Sequence, residues 1–210
     1  MLKRIVIALS LVLAYASTAP ATAGGCGGCK GCSKAAQSGH GPCCGKGKAF
    51  GVALASQKLY DALAGQDVSA SDVENCSCPN CKTAASCQGC CDQCMFAGGK
   101  KYASQVAYRL AKGKPMPAEL VAACPKRCDE CKTAHAKNGK CKKCGVGFVA
   151  DRMFENDSDY QAALAALQLI EKAAKTAKHC EQCAVAMVTD GRCDKCNVSY
   201  KNGRMASAGH

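Results

Sequence analysis

Twelve of the 21 cysteines in this chain fall into three tetrads with one spacing. Each tetrad is a C-x2-C pair, nine residues, and a second C-x2-C pair: Cys78, Cys81, Cys91 and Cys94; Cys128, Cys131, Cys141 and Cys144; Cys180, Cys183, Cys193 and Cys196. A C-x2-C pair lets one tight turn offer two sulfurs to one ion. Two such turns complete the tetrahedral all-sulfur shell that zinc accepts. The pattern predicts three Zn2+ ions, and the regular return of the tetrads along the chain marks an internal repeat.

The elements that would hold these thiols follow from the residues around them. Gly89, Gly139 and Gly191 each stand two positions before the third cysteine, preceded by Gln88, Asn138 and Asp190. Asn-Gly and Asp-Gly favour a type I′ turn, so the segment between the two pairs reads as a β-hairpin. The first two tetrads share Cys-Lys-Thr-Ala after the second ligand, at Cys81 to Ala84 and Cys131 to Ala134. After the fourth ligand, Val146, Phe148, Arg152 and Met153 match Val198, Tyr200, Arg204 and Met205, with Phe96 at the valine position of the first copy. That alternation predicts a third strand.

These segments resemble the zinc-ribbon family, in its short double-knuckle form, with Cys78-Pro79-Asn80-Cys81 matching the Cys-Pro-x-Cys first knuckle common there. The resemblance covers about 25 residues per copy. It implies a structural four-cysteine zinc site in each ribbon. Gly145 supplies the glycine often found after a knuckle, whereas Lys82, Met95, Lys132, Ala184 and Asn197 stand at the equivalent positions.

A helical stretch is expected before each tetrad. Lys48 to Ala64 places Val52, Leu59 and Leu63 on one face, and Ser71-Asp72-Val73-Glu74 reads as a capping box. Tyr102 to Lys112 carries Tyr102, Val106 and Leu110 at four-residue steps, with Pro117-Ala118-Glu119 opening a further turn. Asp159 to Lys178 reads as one long helix capped by Ser158, with Leu164, Leu167 and Ile170 toward a core. The expected fold class is α+β: small metal-stabilised modules, three repeats of helix plus zinc-ribbon β-hairpin. Modules of this size bury too little surface to fold comfortably without metal or disulfides.

The chain opens on Met1-Leu2-Lys3-Arg4 and an apolar run from Ile5 to Ala16, with Ala21-Thr22-Ala23 as an A-x-A cleavage site. This reads as a secretory signal, and the run is shorter than the ~20 residues that span a bilayer. Export to the periplasm or the extracellular space is expected, with no membrane span after signal cleavage. The domains follow as signal peptide 1–23, a Gly/Cys-rich flexible tract 24–47, helix plus ribbon at 48–99, 100–153 and 154–205, and a tail 206–210.

The N-terminal tract carries Cys26, Cys29, Cys32, Cys43 and Cys44, beside His40, and shows no helical or strand period. Three readings stand: an additional soft-metal or zinc site, disulfides, or an unstructured tail. Cys76, Cys87, Cys90 and Cys124 lie outside the tetrads. Cys87 and Cys90 form a C-x2-C pair that competes with Cys91 and Cys94 for the first site, and the common spacing favours the latter.

The formal charge of +12 would suit a nucleic-acid partner, but each four-thiolate zinc site carries about −2. Lys82, Lys132, Lys140, Lys142, Lys143 and Lys195 crowd the pairs, where they offset that charge. Nucleic acid is therefore not the expected partner. The chain contains no Gly-x-Ser-x-Gly, His-Glu-x-x-His, phosphate loop or C-x2-C-His. A non-catalytic, exported zinc-binding repeat protein with a binding or scaffold role toward a protein or envelope component is expected. The alternatives are a soft-metal (zinc or copper) sequestration or delivery protein, and a disulfide-rich envelope protein or thiol-disulfide redox protein. Metal in excess of the three sites marks the first alternative, and a helix N-terminus in a thioredoxin-like βαβ setting marks redox chemistry.

Overall fold

The computed structural model describes residues 47–86, 90–116 and 129–206. The signal peptide, most of the N-terminal tract, Cys87, Pro117 to Cys128 and the last four residues lie outside the described residues. Helices and four small antiparallel sheets make up the described fold.

A hairpin comes first, formed by β1 (Gly47–Ala49) and β2 (Val52–Leu54). Phe50 and Gly51 turn it at φ 51° and 80°, both left-handed as a type I′ turn demands. Lys48 to Ala64 is therefore not one helix. The glycine and the β-branched Val52 favour the hairpin, and only α1 (Gln57–Leu63) remains helical.

Three further elements lead into the first thiol pair: β3 (Gln66–Asp67), α2 (Ala70–Glu74) and α3 (Pro79–Ser86). The capping box is formed by Ser69 and Asp72 rather than by Ser71, because Ser69 is the extended residue (φ −71°, ψ 159°) that opens α2. β4 (Cys90–Cys91), β5 (Phe96–Ala97) and β6 (Lys100–Lys101) then form one sheet with β3, in the order β3-β6-β5-β4.

Ser104 caps α4 (Gln105–Ala111), so this helix begins three residues later than the four-residue steps suggested and Tyr102 lies ahead of it. β7 (Lys114–Pro115) pairs with β9 (Arg152–Phe154), which pairs with β8 (Gly147–Val149); α5 (Asp129–Ala136) lies between β7 and β8 in the chain. The long helix is α6 (Asp157–Thr176), capped by Asn156, whose side chain accepts from the Ser158 N–H at 2.8 Å. Ser158 is thus inside the helix. The chain continues through α7 (Glu181–Thr189), β10 (Arg192–Cys193), β11 (Val198–Lys201) and β12 (Arg204–Ala206).

Helices α1, α4, α6 and α7 enclose the main core, with Leu59, Leu63, Tyr108, Leu110, Ile170 and Val188 fully buried. Ala107, Ala163, Ala173 and Ala184 are fully buried as well. Small side chains let the helix backbones approach closely, which is how a chain with 5% aromatic residues still forms a dry interior. Two capping serines tie this core together. Ser56 Oγ accepts from the Leu59 N–H at 3.1 Å and donates to Glu181 Oε1 at 2.7 Å. Ser104 Oγ accepts from the Ala107 N–H at 3.2 Å and donates to the Val188 carbonyl at 2.6 Å. Both helix starts are thereby fastened to α7.

Candidate metal centres

Among the described residues, the chain leaves the first cysteine pair as a helix in all three places, not as the strand of a hairpin. Cys78 immediately precedes α3 and Cys81 is its third residue; Cys131 is the third residue of α5; Cys180 caps α7 and Cys183 is its third residue. Residues i and i+3 share one helix face, so one helical turn delivers both sulfurs. The glycines keep a turn role in another setting. Asn138 (φ 51°) and Asp190 (φ 54°) are left-handed, while the Gly139 and Gly191 N–H groups reach back to Ala134 O at 2.7 Å and Ala186 O at 2.9 Å. This is a helix C-terminal motif, which needs the same positive φ as a type I′ turn. Gln88 and Gly89 lie outside the described residues.

The second pair stands on the end of β4 or β10 and the turn after it, and in the second set directly after the isolated Lys140–Gly147 bridge. Met95, Gly145 and Asn197, each following the fourth cysteine, all adopt positive φ (51°, 72° and 54°). The conformation that glycine favours is therefore adopted at all three positions, although only the second carries glycine. Met95 and Asn197 adopt the left-handed form at some strain.

Cys78, Cys81, Cys91 and Cys94 come together, as do Cys180, Cys183, Cys193 and Cys196, with all ligand atoms in each set within 4.8 Å of one another. Cys131, Cys141 and Cys144 form a third set, and Cys128 lies outside the described residues. The Sγ atoms of Cys78 and Cys91, and of Cys180 and Cys193, are 3.7 Å apart; those of Cys131 and Cys144 are 3.1 Å apart. A tetrahedron of metal–sulfur bonds of about 2.3 Å has edges of about 3.8 Å, which the Cys78–Cys91, Cys180–Cys193 and Cys180–Cys196 separations match. Cys91 and Cys94, rather than Cys90, stand with Cys78 and Cys81 among the described residues, which do not include Cys87. Cys90 points away, 4.0 Å from the Lys112 carbonyl, and Cys76 packs partly buried against the first set.

Backbone and burial set the thiol chemistry. The Cys81 N–H lowers the Cys78 thiol to about 7, and the Cys183 N–H does the same for Cys180. Both amides lie in the first turn of a helix, where N–H groups favour an anion. Burial raises Cys81 and pushes Cys183 up to about 12. Tyr200, raised to about 12 by burial and by its contact with Cys183, covers the third set.

Residues preceding the second or fourth cysteine stitch the pairs together, a feature that the cysteine spacing alone does not reveal. Lys143 Nζ lies 3.5 Å from Glu130 Oε1. Gln182 Oε1 accepts from the Lys195 N–H at 3.3 Å, and Gln93 Oε1 accepts from Cys78 Sγ at 3.5 Å. The polar residues within the C-x2-C pairs were the available signal. His135, the histidine nearest the second set in sequence, instead packs edge-on against Phe148 at 5.7 Å.

Among the described residues no helix is long and apolar enough to cross a membrane. No family model, curated protein or solved structure matches the chain.

Proposed function

We propose that this chain is an exported zinc-binding protein, built as three repeats of helix and ribbon, in which metal is structural and the modules bind or scaffold a protein or envelope component without catalysis. The observation that carries the reading is the convergence of four sulfurs, within 4.8 Å of one another, in each of two complete cysteine sets formed between a helix start and a strand end. Cys78, Cys81, Cys91 and Cys94 would hold one zinc and Cys180, Cys183, Cys193 and Cys196 another, with Cys128 completing the set of Cys131, Cys141 and Cys144. Zinc bound there supplies a cross-link and offsets thiolate charge. Thiols set at the ends of small modules, with no convergent acid, base or nucleophile constellation in the sequence, favour a structural role over a reaction.

Native mass spectrometry with metal analysis, before and after thiol alkylation, tests this reading. Three retained zinc ions and twelve protected thiols are expected. A metal-free, fully oxidised chain would overturn it.

A second reading, soft-metal sequestration, is favoured by one observation. The β1–β2 turn begins six residues after Cys44, as the corresponding turns at Ala150 and Asn202 begin six residues after Cys144 and Cys196. Cys44 thus stands where a fourth ligand stands elsewhere, with Cys26, Cys29, Cys32 and Cys43 upstream. Exchangeable copper(I) or zinc beyond three ions per chain would identify this role.

A further inference from the structure

Three sheets contain a hairpin closed by a two-residue left-handed turn after the fourth cysteine: Gly98–Gly99, Ala150–Asp151 and Asn202–Gly203. In such a hairpin the residues flanking the turn exchange both hydrogen bonds, so the next residue on the second strand directs its N–H and C=O outward. Those residues are Lys101, Met153 and Met205.

The first two outer edges are covered. Gln66 pairs with Lys101, and the Val68 N–H donates to the Gly99 carbonyl at 3.2 Å. Lys114 pairs with Met153, and the Met116 N–H donates to the Asp151 carbonyl at 3.0 Å. Val68 and Met116 then pack beside Phe96 and Phe148 in the cysteine-lined clusters. Arg152 holds the covering segment from below, its Nη1 donating to Ala111 O at 3.0 Å and Gly113 O at 2.9 Å.

β12 repeats the Arg-Met dipeptide of β9 at the same distance from its turn. Among the described residues, however, no strand pairs with its outer edge and no donor reaches the Gly203 carbonyl. Met205 is 71% exposed, the exposed large hydrophobic residue of the described fold, and Arg204 is exposed beside it. Among the described residues no segment supplies a strand to cover β12 in the place of β3 or β7, since α6 runs almost directly into Cys180.

We propose that the outer edge of β12 is a docking site for an extended segment of a partner protein, added antiparallel as β7 is added to β9. The first partner residue would pair with Met205 and the second with Arg204. The third would donate its N–H to the Gly203 carbonyl and carry an apolar side chain over Met205, while Arg204 binds the carbonyls that precede the segment. The covered edges define this chemistry as two extended residues followed by valine or methionine. Both covering segments also begin with glycine, because a Cβ on Gly65 would come within 2.8 Å of Tyr102, and one on Gly113 would strike Phe154. At β12 the corresponding residue is Ala206, with no ring, so the partner need not carry glycine there. Main-chain pairing at an open sheet edge supplies the affinity, and the apolar contact with Met205 the selectivity. The site deepens the binding role proposed above and rests on it.

The zinc-loaded full chain, titrated with a synthetic peptide of the sequence Leu110 to Ala118 and followed by amide NMR, provides the test. Shifts centred on the Gly203 and Met205 amides are expected, weakened about tenfold by Met205→Asp, by Arg204→Gln, or by serine in place of the peptide's methionine. Native mass spectrometry of the same variants must show the zinc content of the unmodified chain, whatever that content is. Peptide shifts absent from β12 overturn the docking site while leaving the metal reading intact. A Met205 amide already protected from exchange without peptide, through the chain's own tail or N-terminal tract, overturns it too. So does concentration-dependent dimerisation that Met205→Asp abolishes.

Discussion

The Tyr108 hydroxyl donates to Asp92 Oδ1 at 2.7 Å, joining a fully buried ring on α4 to a carboxylate that stands between Cys91 and Cys94. Lys112 Nζ completes the link, 3.0 Å from Asp92 and 3.3 Å from Asp159 on α6. Tyr108, then Lys112, holds the Asp92 carboxyl below the usual carboxylate range. Burial alone would push the Lys112 ammonium down, yet the two carboxylates hold it above its ordinary value. The second cysteine pair of the first set is thus anchored to the core rather than merely beside it.

Tyr108→Phe keeps the ring and removes this bond. Asp92 is exposed enough to take water instead, so the loss is expected to be about 1 kcal/mol, read from the denaturant midpoint. Tyr108→Ala empties a fully buried site and costs about 3–5 kcal/mol. A Tyr108→Phe variant as unstable as Tyr108→Ala would show that the hydroxyl, not packing, dominates.

Thiol reactivity in the metal-free chain should be graded by position. Cys78 and Cys180, lowered to about 7 by the amides of Cys81 and Cys183, are expected to alkylate first near neutral pH. Cys81 and Cys183, both pushed up by burial, should react last. The signs of the two stability effects are opposite. The lowered thiols contribute stability above the ordinary thiol range that is lost as pH falls through about 7. The Cys183 contribution is intact below that range and is lost as pH rises toward about 12. Mass mapping of the alkylated sites at several pH values checks the order, and equal rates at Cys78 and Cys81 would contradict it.

Gly145 offers a cleaner test of backbone strain. Its φ is 72°, and a Cβ there would meet nothing within 4 Å. Gly145→Ala therefore changes conformation without creating a clash and is expected to cost about 1 kcal/mol. Asn197→Gly should relieve the same strain at φ 54°, offset by losing the side-chain contact with Arg192. Thermal unfolding of both variants reads the difference.

The cysteine sets were legible because ligand spacing is a local constraint: two sulfurs three residues apart reach one ion from a helix turn or a tight loop alike. The element between them was not, and the reason lies in Asn138-Gly139 and Asp190-Gly191. Positive φ serves a hairpin turn and a helix end equally, so those residues fixed a turn without fixing what preceded it. Ala184-Val185-Ala186-Met187-Val188 offered the missing clue, since alanine and methionine favour helix and nine residues can form the two and a half turns of α7. The hairpins were harder still. Ala150-Asp151 and Phe50-Gly51 turn chains that carry no Asn-Gly signal, whereas Gly98-Gly99 and Asn202-Gly203 announce themselves.

The three cysteine sets should differ in what their loss does. Cys131 and Cys141 belong to a small cluster with Ala134 and Phe148, apart from the main core, whereas Cys183 and Cys193 are part of that core beside Met187 and Val188. Joint Cys141→Ser and Cys144→Ser replacement is expected to remove one metal ion and loosen β8 and its neighbours, leaving the other two ions in place. Joint Cys183→Ser and Cys193→Ser replacement puts hydroxyls at buried positions in the principal interior, where an unsatisfied hydroxyl costs about 1–3 kcal/mol each. This pair should lower the unfolding midpoint of the whole chain as well as its metal content. Native mass spectrometry and amide exchange on the two double variants separate a local loss from a global one. Equal destabilisation by both pairs would mean that the second cluster is as integral to the core as the third.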